Sequence, residues 1–376
     1  MRPSALDKLR CPACLGELSL ETFERGHGDE TATESGALLC GECRVWYPIE
    51  AATPVMLRFH TPFHDDFSRR HSGELGRLEG YSMSHAAPRP GEEHVQATFT
   101  DQWRLVDDDD LSFGYTADEL VELNRRVWLR WVEDLPADER PTSVLNVGCG
   151  VGMETMALKE VTGAEQLFGI DLNLALLGRR AEFRDPDGVT FVIASAFDLP
   201  FDDSSFELVY SQGVLHHTYS TRDAFRSIAR TVAPEGRQFV WLYGREDPLS
   251  PGGSMTRHLM EMALRPIVNR SSPRARDRIF AGLTSLSHAH YRATQRHGES
   301  WSRENTEHAL RDWLSPKYAH RHGHNEVMAW FEEDGFRVVD TQSPKAYREL
   351  FGTPLWGVGM TGQRLASADA RAGTRA

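Results

Sequence analysis

The sequence predicts an α/β protein with a mostly parallel sheet, preceded by a small metal-binding module. Three observations predict it. The apolar run Ser143-Val144-Leu145-Asn146-Val147 ends in the glycine turn Gly148-Cys149-Gly150-Val151-Gly152, and helix-forming residues follow from Met153. A buried strand, a tight turn and a helix start make the opening of a strand–helix crossover unit. A second run, Glu165 to Asp171, repeats the strand and ends in an acid. Near the N-terminus, Cys11-Pro12-Ala13-Cys14 and Cys40-Gly41-Glu42-Cys43 form two C-x-x-C pairs.

The 376 residues leave room for one large core and a satellite module. A hydrophobic content of 40% and a charged content of 26% fit an ordinary globular protein. No apolar run reaches the roughly 18 residues that span a bilayer. The start, Met1 to Lys8, lacks a signal-peptide core, so a cytoplasmic location is expected. The net charge of −13 argues against a nucleic-acid partner, although a local patch can override a global sum.

Residues 1–58 form the first expected unit. Two thiol pairs at this spacing let four thiolates surround one tetrahedral ion. Disulfides do not suit a reducing cytosol, and a redox motif need not occur twice. Cys11, Cys14, Cys40 and Cys43 are therefore expected to hold a structural zinc, with no free coordination position for catalysis. Glu21 to Ser35 should be a variable hairpin or loop, and Trp46 to Leu57 should give short strands and apolar cover.

Residues 59–115 read as a linker and lid segment. Phe99 and Trp103 have helical spacing and suit either simple core or a lid, and the sequence does not decide between them. The acidic run Asp107–Asp110 suits a solvated turn better than a metal site. Core elements then alternate over 116–243. A helix is expected over Thr116–Leu135, with Thr116 and Glu119 as a capping box. Helices are also expected over Glu154–Val161, Asn173–Glu182 and Thr221–Thr231. Strands are expected at Val189–Ala194, Phe206–Ser211 and Arg237–Tyr243. Residues 244–324 break the pattern and read as an inserted helical cap, with helices over Met255–Asn269 and Arg274–His290. Its arginines, 257, 265, 270, 274, 276 and 278, suit a solvated face or an anion-binding patch. The core resumes over 325–364, and 365–376 is expected to be a disordered tail.

The glycine turn is compatible with plain geometry, but its ligand readings are more informative. Turn glycines let backbone approach a ligand, and the helix start offers free N–H groups. An acid at the tip of the next strand is placed to hold a ribose. The G-x-G-x-G spacing departs from the dinucleotide pattern, because Met153 stands at the third glycine position. Further along lie Val192 to Ser195, Ala196-Phe197-Asp198-Leu199-Pro200-Phe201, and Ser211-Gln212-Gly213-Val214-Leu215-His216-His217. From about Val144 to Tyr243 this order resembles the class I S-adenosylmethionine-dependent methyltransferases of the ubiquinone-biosynthesis-like (type 11) group. Leu6 to Leu57 resembles the zinc-ribbon family whose free-standing members activate tRNA and protein methyltransferases.

The resemblance implies a Rossmann-like seven-stranded methyltransferase fold with an antiparallel last strand. It implies S-adenosyl-L-methionine as cofactor, with Asn146, Gly148, Cys149, Gly150 and Gly152 around the methionine part. Asp171 would hold the ribose, Leu172 the adenine face, and Ser195, Ala196 and Phe197 the adenine edge. Ser211, Gln212 and Gly213 would flank the methyl group. Two residues depart from the family: Asn146 stands for an acid, and Ser195 for an aspartate, so that the adenine amino contact would be shorter and weaker or be replaced by Asp198. His216 and His217 are candidate general bases, with packing after the fourth strand as the competing role. His320, His322 and His324 form a second cluster that suits substrate lining better than metal. The expected function is methyl transfer to O, N or C of a small-molecule acceptor. An RNA-modifying methyltransferase and a non-catalytic binding protein are the alternatives.

Overall fold

The computed structural model describes residues 1–26, 31–104, 115–178, 188–245, 251–294, 302–352 and 354–366. The acidic run 107–110 and nearly all of the expected tail lie outside the described residues. The N-terminal module is a sheet of β1 (Leu18–Arg25), β2 (Thr33–Cys40), β3 (Val45–Glu50) and β4 (Thr53–Pro54), with β5 (Ser82–Met83) beside β3. The segment 59–115, expected as a linker, carries α1 (Pro62–Arg70), α2 (Ser72–Leu75) and α3 (Glu92–Arg104). Pro62 at the helix start and the Thr61–His64 capping pair explain α1, which buries Phe67 against Trp46 and Phe23.

The core helix expected over Thr116–Leu135 is broken. The capping box forms as expected, since Glu119 N donates to Thr116 Oγ1 (3.2 Å) and Thr116 N to Glu119 (2.9 Å). The α4 helix (Ala117–Leu123) then passes into a π turn, Asn124–Trp128, before α5 (Arg130–Glu133). Buried Asn124 donates its Nδ2 to Leu120 O (2.9 Å), and Leu129 N reaches back five residues to Asn124 O (2.7 Å). A polar side chain competing for a helical carbonyl shifts the ladder in this way.

The main sheet contains β6 (Ser143–Val147), β7 (Gln166–Asp171), β8 (Val189–Ile193), β9 (Phe206–Gln212), β10 (Val232–Leu242), β11 (Phe336–Thr341) and β12 (Val358–Arg364). Their order is β11-β12-β10-β9-β6-β7-β8. Strands β6 to β10 are parallel, and β12 is antiparallel to both of its neighbours. The crossover helices are α6 (Met153–Thr162) and α7 (Thr221–Ala229). The chain runs outward from β6 to β8 and returns on the other side at β9. The switch point lies between β6 and β9, where ligands of open α/β sheets bind beyond the strand carboxyl ends.

Three helices fill the insertion: α8 (Pro251–Arg270), α9 (Pro273–Thr294) and α10 (Arg303–Leu314). The last was not expected from the sequence. Their interior is Val268, Phe280, Leu310 and Leu314. The chain closes with α11 (His324–Glu333) and α12 (Pro344–Phe351) around β11 and β12.

The N-terminal module is fixed to the exposed edge of β8. Val55 bridges Ile193 in parallel, and Met56 N donates to Ile193 O (2.7 Å). Arg10 N binds Pro200 O (2.9 Å), Lys8 Nζ binds Ser205 O (2.9 Å), and Arg58 pairs with Asp198 (2.8 Å). Tyr47 and Met56 share one apolar cluster with Ile170 and Val192. An open sheet edge is thereby covered. No described helix is long and apolar enough to cross a membrane.

Candidate functional site

The glycine turn behaves as its composition demands. Gly148, Gly150 and Gly152 have φ of +87°, +58° and +105°, a region that side chains rarely adopt. A Cβ on Gly148 would lie 2.0 Å from Val214 Cγ2, and one on Gly150 2.4 Å from the Trp103 ring. Trp103 belongs to α3, which lies across the turn with Val151 and Ala175 packed on the same ring. Phe99 and Trp103 thus join a small buried cluster over the turn, an arrangement that both the core and the lid readings allow.

Asp171 closes β7 and faces the turn. Its carboxylate accepts from Gly150 N (2.8 Å) and Asn173 N (2.9 Å). Burial raises its pKa, and these N–H groups pull it back. Asn173 Nδ2 returns to Gly150 O (2.9 Å), so the tips of β6 and β7 are tied together. The helix expected from Asn173 to Glu182 is instead a 3₁₀ turn over Leu174–Gly178, with residues 179–182 outside the described residues. Asn173 Oδ1 accepts from Leu176 N (3.2 Å), and Thr100 of α3 accepts from Leu174 N (2.9 Å). Leu172, Ala196, Phe197, Gln212 and Gly213 are half-buried along the same strand ends, while Ser211 is buried with its hydroxyl on Val147 O (3.0 Å). Cys149 is buried and its thiol pKa is driven up, first by burial.

The two departures each lie near a buried carboxylate from another element. Ser195 Oγ donates to Glu92 of α3, and Phe197 N donates to Ser195 Oγ (3.1 Å). Glu92 is buried and its pKa is raised by that burial. Asp198, the suggested replacement, is committed elsewhere, to Arg58 (2.8 Å) and Arg89 (3.3 Å). Asn146 donates to Thr155 Oγ1 (3.0 Å) and leaves its carbonyl oxygen unpartnered among the described residues. Across from it Tyr210, its register partner in β9, donates to Glu154 (3.0 Å), whose pKa burial pushes up to about 8.

The two histidines differ. His216 is fully buried, stacked at 3.8 Å on Tyr243, and its Nδ1 accepts from Tyr243 N (3.4 Å). Burial drives its pKa well below the usual range, with neighbouring His217 adding to the effect. Its one basic nitrogen is used by backbone. His217 Nδ1 binds Tyr318 O (2.9 Å), while Nε2 faces Asp312 of α10 at 3.7 Å. Burial lowers its pKa, Asp312 and the Tyr318 carbonyl oppose that, and Arg265 and His320 reinforce it. Phe99 lies 5.3 Å from the His217 ring, and His308 of α10 meets the Trp103 ring edge-on at 5.7 Å. Glu92, Asp312 and Tyr243 carried no signal in the sequence, because each meets its partner only through a distant element.

Two of the three outlying histidines have bonds within the fold, and His324 is exposed. His320 Nε2 binds Thr218 O (3.0 Å), and His322 bridges Thr221 Oγ1 and Glu326 at 3.0 Å each. Of the cap arginines, Arg265 turns inward to Trp313 O (2.8 Å), Arg270, Arg274 and Arg278 are exposed, and the Arg257 side chain lies outside the described residues. Among the described residues, Cys11, Cys14, Cys40 and Cys43 alone gather as metal ligands, with their sulfurs within 4.8 Å of one another. Cys14 and Cys40 Sγ lie 3.6 Å apart, close to the edge of about 3.8 Å that a tetrahedral site with 2.3 Å Zn–S bonds requires. Gly16 N and Cys43 N donate to the sulfurs, as outer partners of thiolates do. The cluster fits a structural zinc.

Comparison with known families matches residues 145–240 to the methyltransferase domain and residues 3–50 to Trm112p-like protein. A malonyl-[acyl-carrier protein] O-methyltransferase of Halorhodospira halophila is 30% identical over 66% of this chain and 85% of its own length. The chain belongs to the S-adenosylmethionine-dependent methyltransferases. A rice protein (Oryza sativa subsp. japonica) described as a probable tocopherol O-methyltransferase is 30% identical over 39% of the chain, which spans 45% of that relative's length. A mouse protein (Mus musculus) described as a probable tRNA methyltransferase 9B is 29% identical over 35% of the chain and 28% of its own length. A magnesium protoporphyrin IX methyltransferase structure from Synechocystis PCC 6803 covers 73% of this chain and 97% of its own, at 13% identity and a TM-score of 0.41. The donor set at the methyltransferase's strand ends fits its cofactor. Glycine backbone, the Asp171 carboxylate and the orphaned Asn146 carbonyl all suit a ligand with a diol and an ammonium group.

Proposed function

We propose that this methyltransferase transfers the methyl group to a small-molecule acceptor held between the lid α3 and the cap helix α10. The observation that carries the reading is the enclosure of the acceptor side. Phe99 and Trp103 from the lid, His217 and Tyr243 from the core, and His308 and Asp312 from the cap converge there, with Trp103, His217 and Tyr243 each under a tenth exposed. An acceptor side walled by packed side chains suits a metabolite. An extruded nucleotide also needs free cations along its backbone. At this mouth Arg58 and Arg89 are paired with Asp198, and Arg321 with Glu261.

When bound, the cofactor supplies an activated methyl group on a sulfonium. The chain's own residues have the remaining tasks. Gly148, Gly150 and Gly152 would admit the methionine part, Asp171 would hold the ribose hydroxyls, and Leu172, Ala196 and Phe197 would receive the adenine. Ser211, Gln212 and Gly213 would line the methyl path, and the lid would exclude water. His217 would take the acceptor's proton; His216 would hold Tyr243 in place. Four thiolate zinc ligands suit a reducing compartment, which favours the cytoplasm.

The test is transfer of isotopically labelled methyl into fractionated cell extract. Label in the metabolite fraction is expected. Label in tRNA or rRNA instead would overturn the small-molecule reading.

A further inference from the structure

His217 and Asp312 face each other across the boundary between core and cap. The Tyr318 carbonyl, 2.9 Å from His217 Nδ1, can only accept, so the neutral ring carries its proton on Nδ1 and presents a lone pair at Nε2. That Nε2 has no hydrogen-bond partner among the described residues, although His217 is only 2% exposed. Asp312 Oδ1 stands 3.7 Å away, and its other oxygen already accepts from Tyr243 OH. Two acceptors therefore confront one another, too far apart for a hydrogen bond and electrostatically repelling. A donor group beside both would relieve the conflict: an amine can give one N–H to each acceptor, and a hydroxyl can give its single O–H to either. An apolar carbon would leave both unsatisfied, at the cost of burying bare polar atoms.

We propose that the acceptor substrate presents a hydroxyl or an amine beside His217 Nε2 and Asp312 Oδ1, so that the cap supplies half of the acceptor subsite and the product is an O- or N-methyl compound. The inference rests on the small-molecule reading above. In the step, the X–H proton passes to His217 Nε2 as the X lone pair forms the new X–CH3 bond. The electron pair of the breaking C–S bond returns to sulfur, leaving a neutral thioether. The imidazolium that forms is faced by the Asp312 carboxylate, against the opposing positive charge of Arg265. Phe99 and the Trp103–His308 pair wall the remaining sides, which suits an acceptor with an apolar or aromatic body.

The experiment uses full-length, zinc-loaded protein with 15N-labelled histidine, saturated with S-adenosylhomocysteine. His217 is assigned by its loss in His217→Gln. Phenol, benzylamine and toluene serve as hydroxyl, amine and apolar probes. A bare Nε2 resonance at neutral pH is expected, shifted saturably by phenol or benzylamine and untouched by toluene. Asp312→Asn should weaken that response roughly tenfold, as loss of a charge-assisted bond does, while S-adenosylhomocysteine affinity stays the same and shows the variant folded. A protonated Nε2, an equal response to toluene, no response to phenol or benzylamine, or an unchanged response in Asp312→Asn would each overturn the proposal. Failure of the wild type to bind S-adenosylhomocysteine would instead remove the methyltransferase reading beneath it.

Discussion

The two halves of the proposed site are built on different terms. The cofactor half is made from turns and strand ends, so its parts lie close in sequence: Gly148 to Gly152, Asp171 to Asn173, Ser195 to Phe197. Backbone does much of its work, and glycine is required where φ is positive. The acceptor half is made from side chains of four separate elements: Phe99 of α3, His217 after β9, Tyr243 after β10 and Asp312 of α10. A cofactor common to many enzymes can be held by a repeated backbone device. An acceptor is distinguished by what an insertion brings over the sheet. Damage to the first half should therefore abolish binding of the cofactor, and damage to the second should spare it.

Removing the support beneath the cofactor half should have the largest effect. The ribbon covers β8 through Val55 and Met56 and holds Asp198 through Arg58, next to the Ser195–Phe197 loop. Cys40→Ser, or metal chelation, should unfold the ribbon, since structural zinc contributes on the order of 10 kcal/mol to such modules. Cofactor affinity should fall with it, measured by calorimetry alongside zinc content. Retained affinity without zinc would show that the ribbon is only an appendage.

The separation is tested next by Gly150→Ala. A Cβ there has no room beside Trp103 and no ease at φ +58°, so cofactor affinity should drop about 100-fold, equivalent to about 3 kcal/mol. Tyr243→Phe acts on the other half. It removes the hydroxyl that fixes Asp312, so kcat should fall about tenfold with cofactor Kd unchanged. A joint loss in that variant would mean that the halves are not separable.

A different kind of effect, on stability rather than on ligand affinity, concerns Glu154, beneath the cofactor half. Its folded pKa, about 8, lies above its ordinary value of 4.5, so the folded state holds this proton more tightly. The stability linked to it is fully present below about pH 4.5 and is lost as pH rises through 8. Glu154→Gln should leave stability at pH 5 nearly unchanged and raise it at pH 9 by up to a few kcal/mol, at about 1.4 kcal/mol per pKa unit. Denaturant melts at both pH values check the sign.

The same contrast explains what could be read in advance. The glycine turn, Asp171 and the four cysteines announce themselves through spacing, because one short segment must satisfy one local geometry. The apolar stripe from Thr116 to Leu135 could not show that Asn124 would capture the Leu120 carbonyl and break the helix. The run after Asp171 looked helical, yet Asn173 is occupied with Gly150 and Leu176. Ser195 looked like a lost acid, and only the fold brings Glu92 to it. His217 was visible as a histidine, whereas its partner Asp312 lay in a helix that the sequence did not reveal.

The most direct test of the account is calorimetric titration of the zinc-loaded protein with S-adenosylmethionine, run on wild type, Asp171→Ala and Asp312→Asn. Saturable binding that is lost in Asp171→Ala and kept in Asp312→Asn is the predicted result. Binding that survives Asp171→Ala, or disappears with Asp312→Asn, would contradict a cofactor half seated on the strand ends and an acceptor half supplied by the cap.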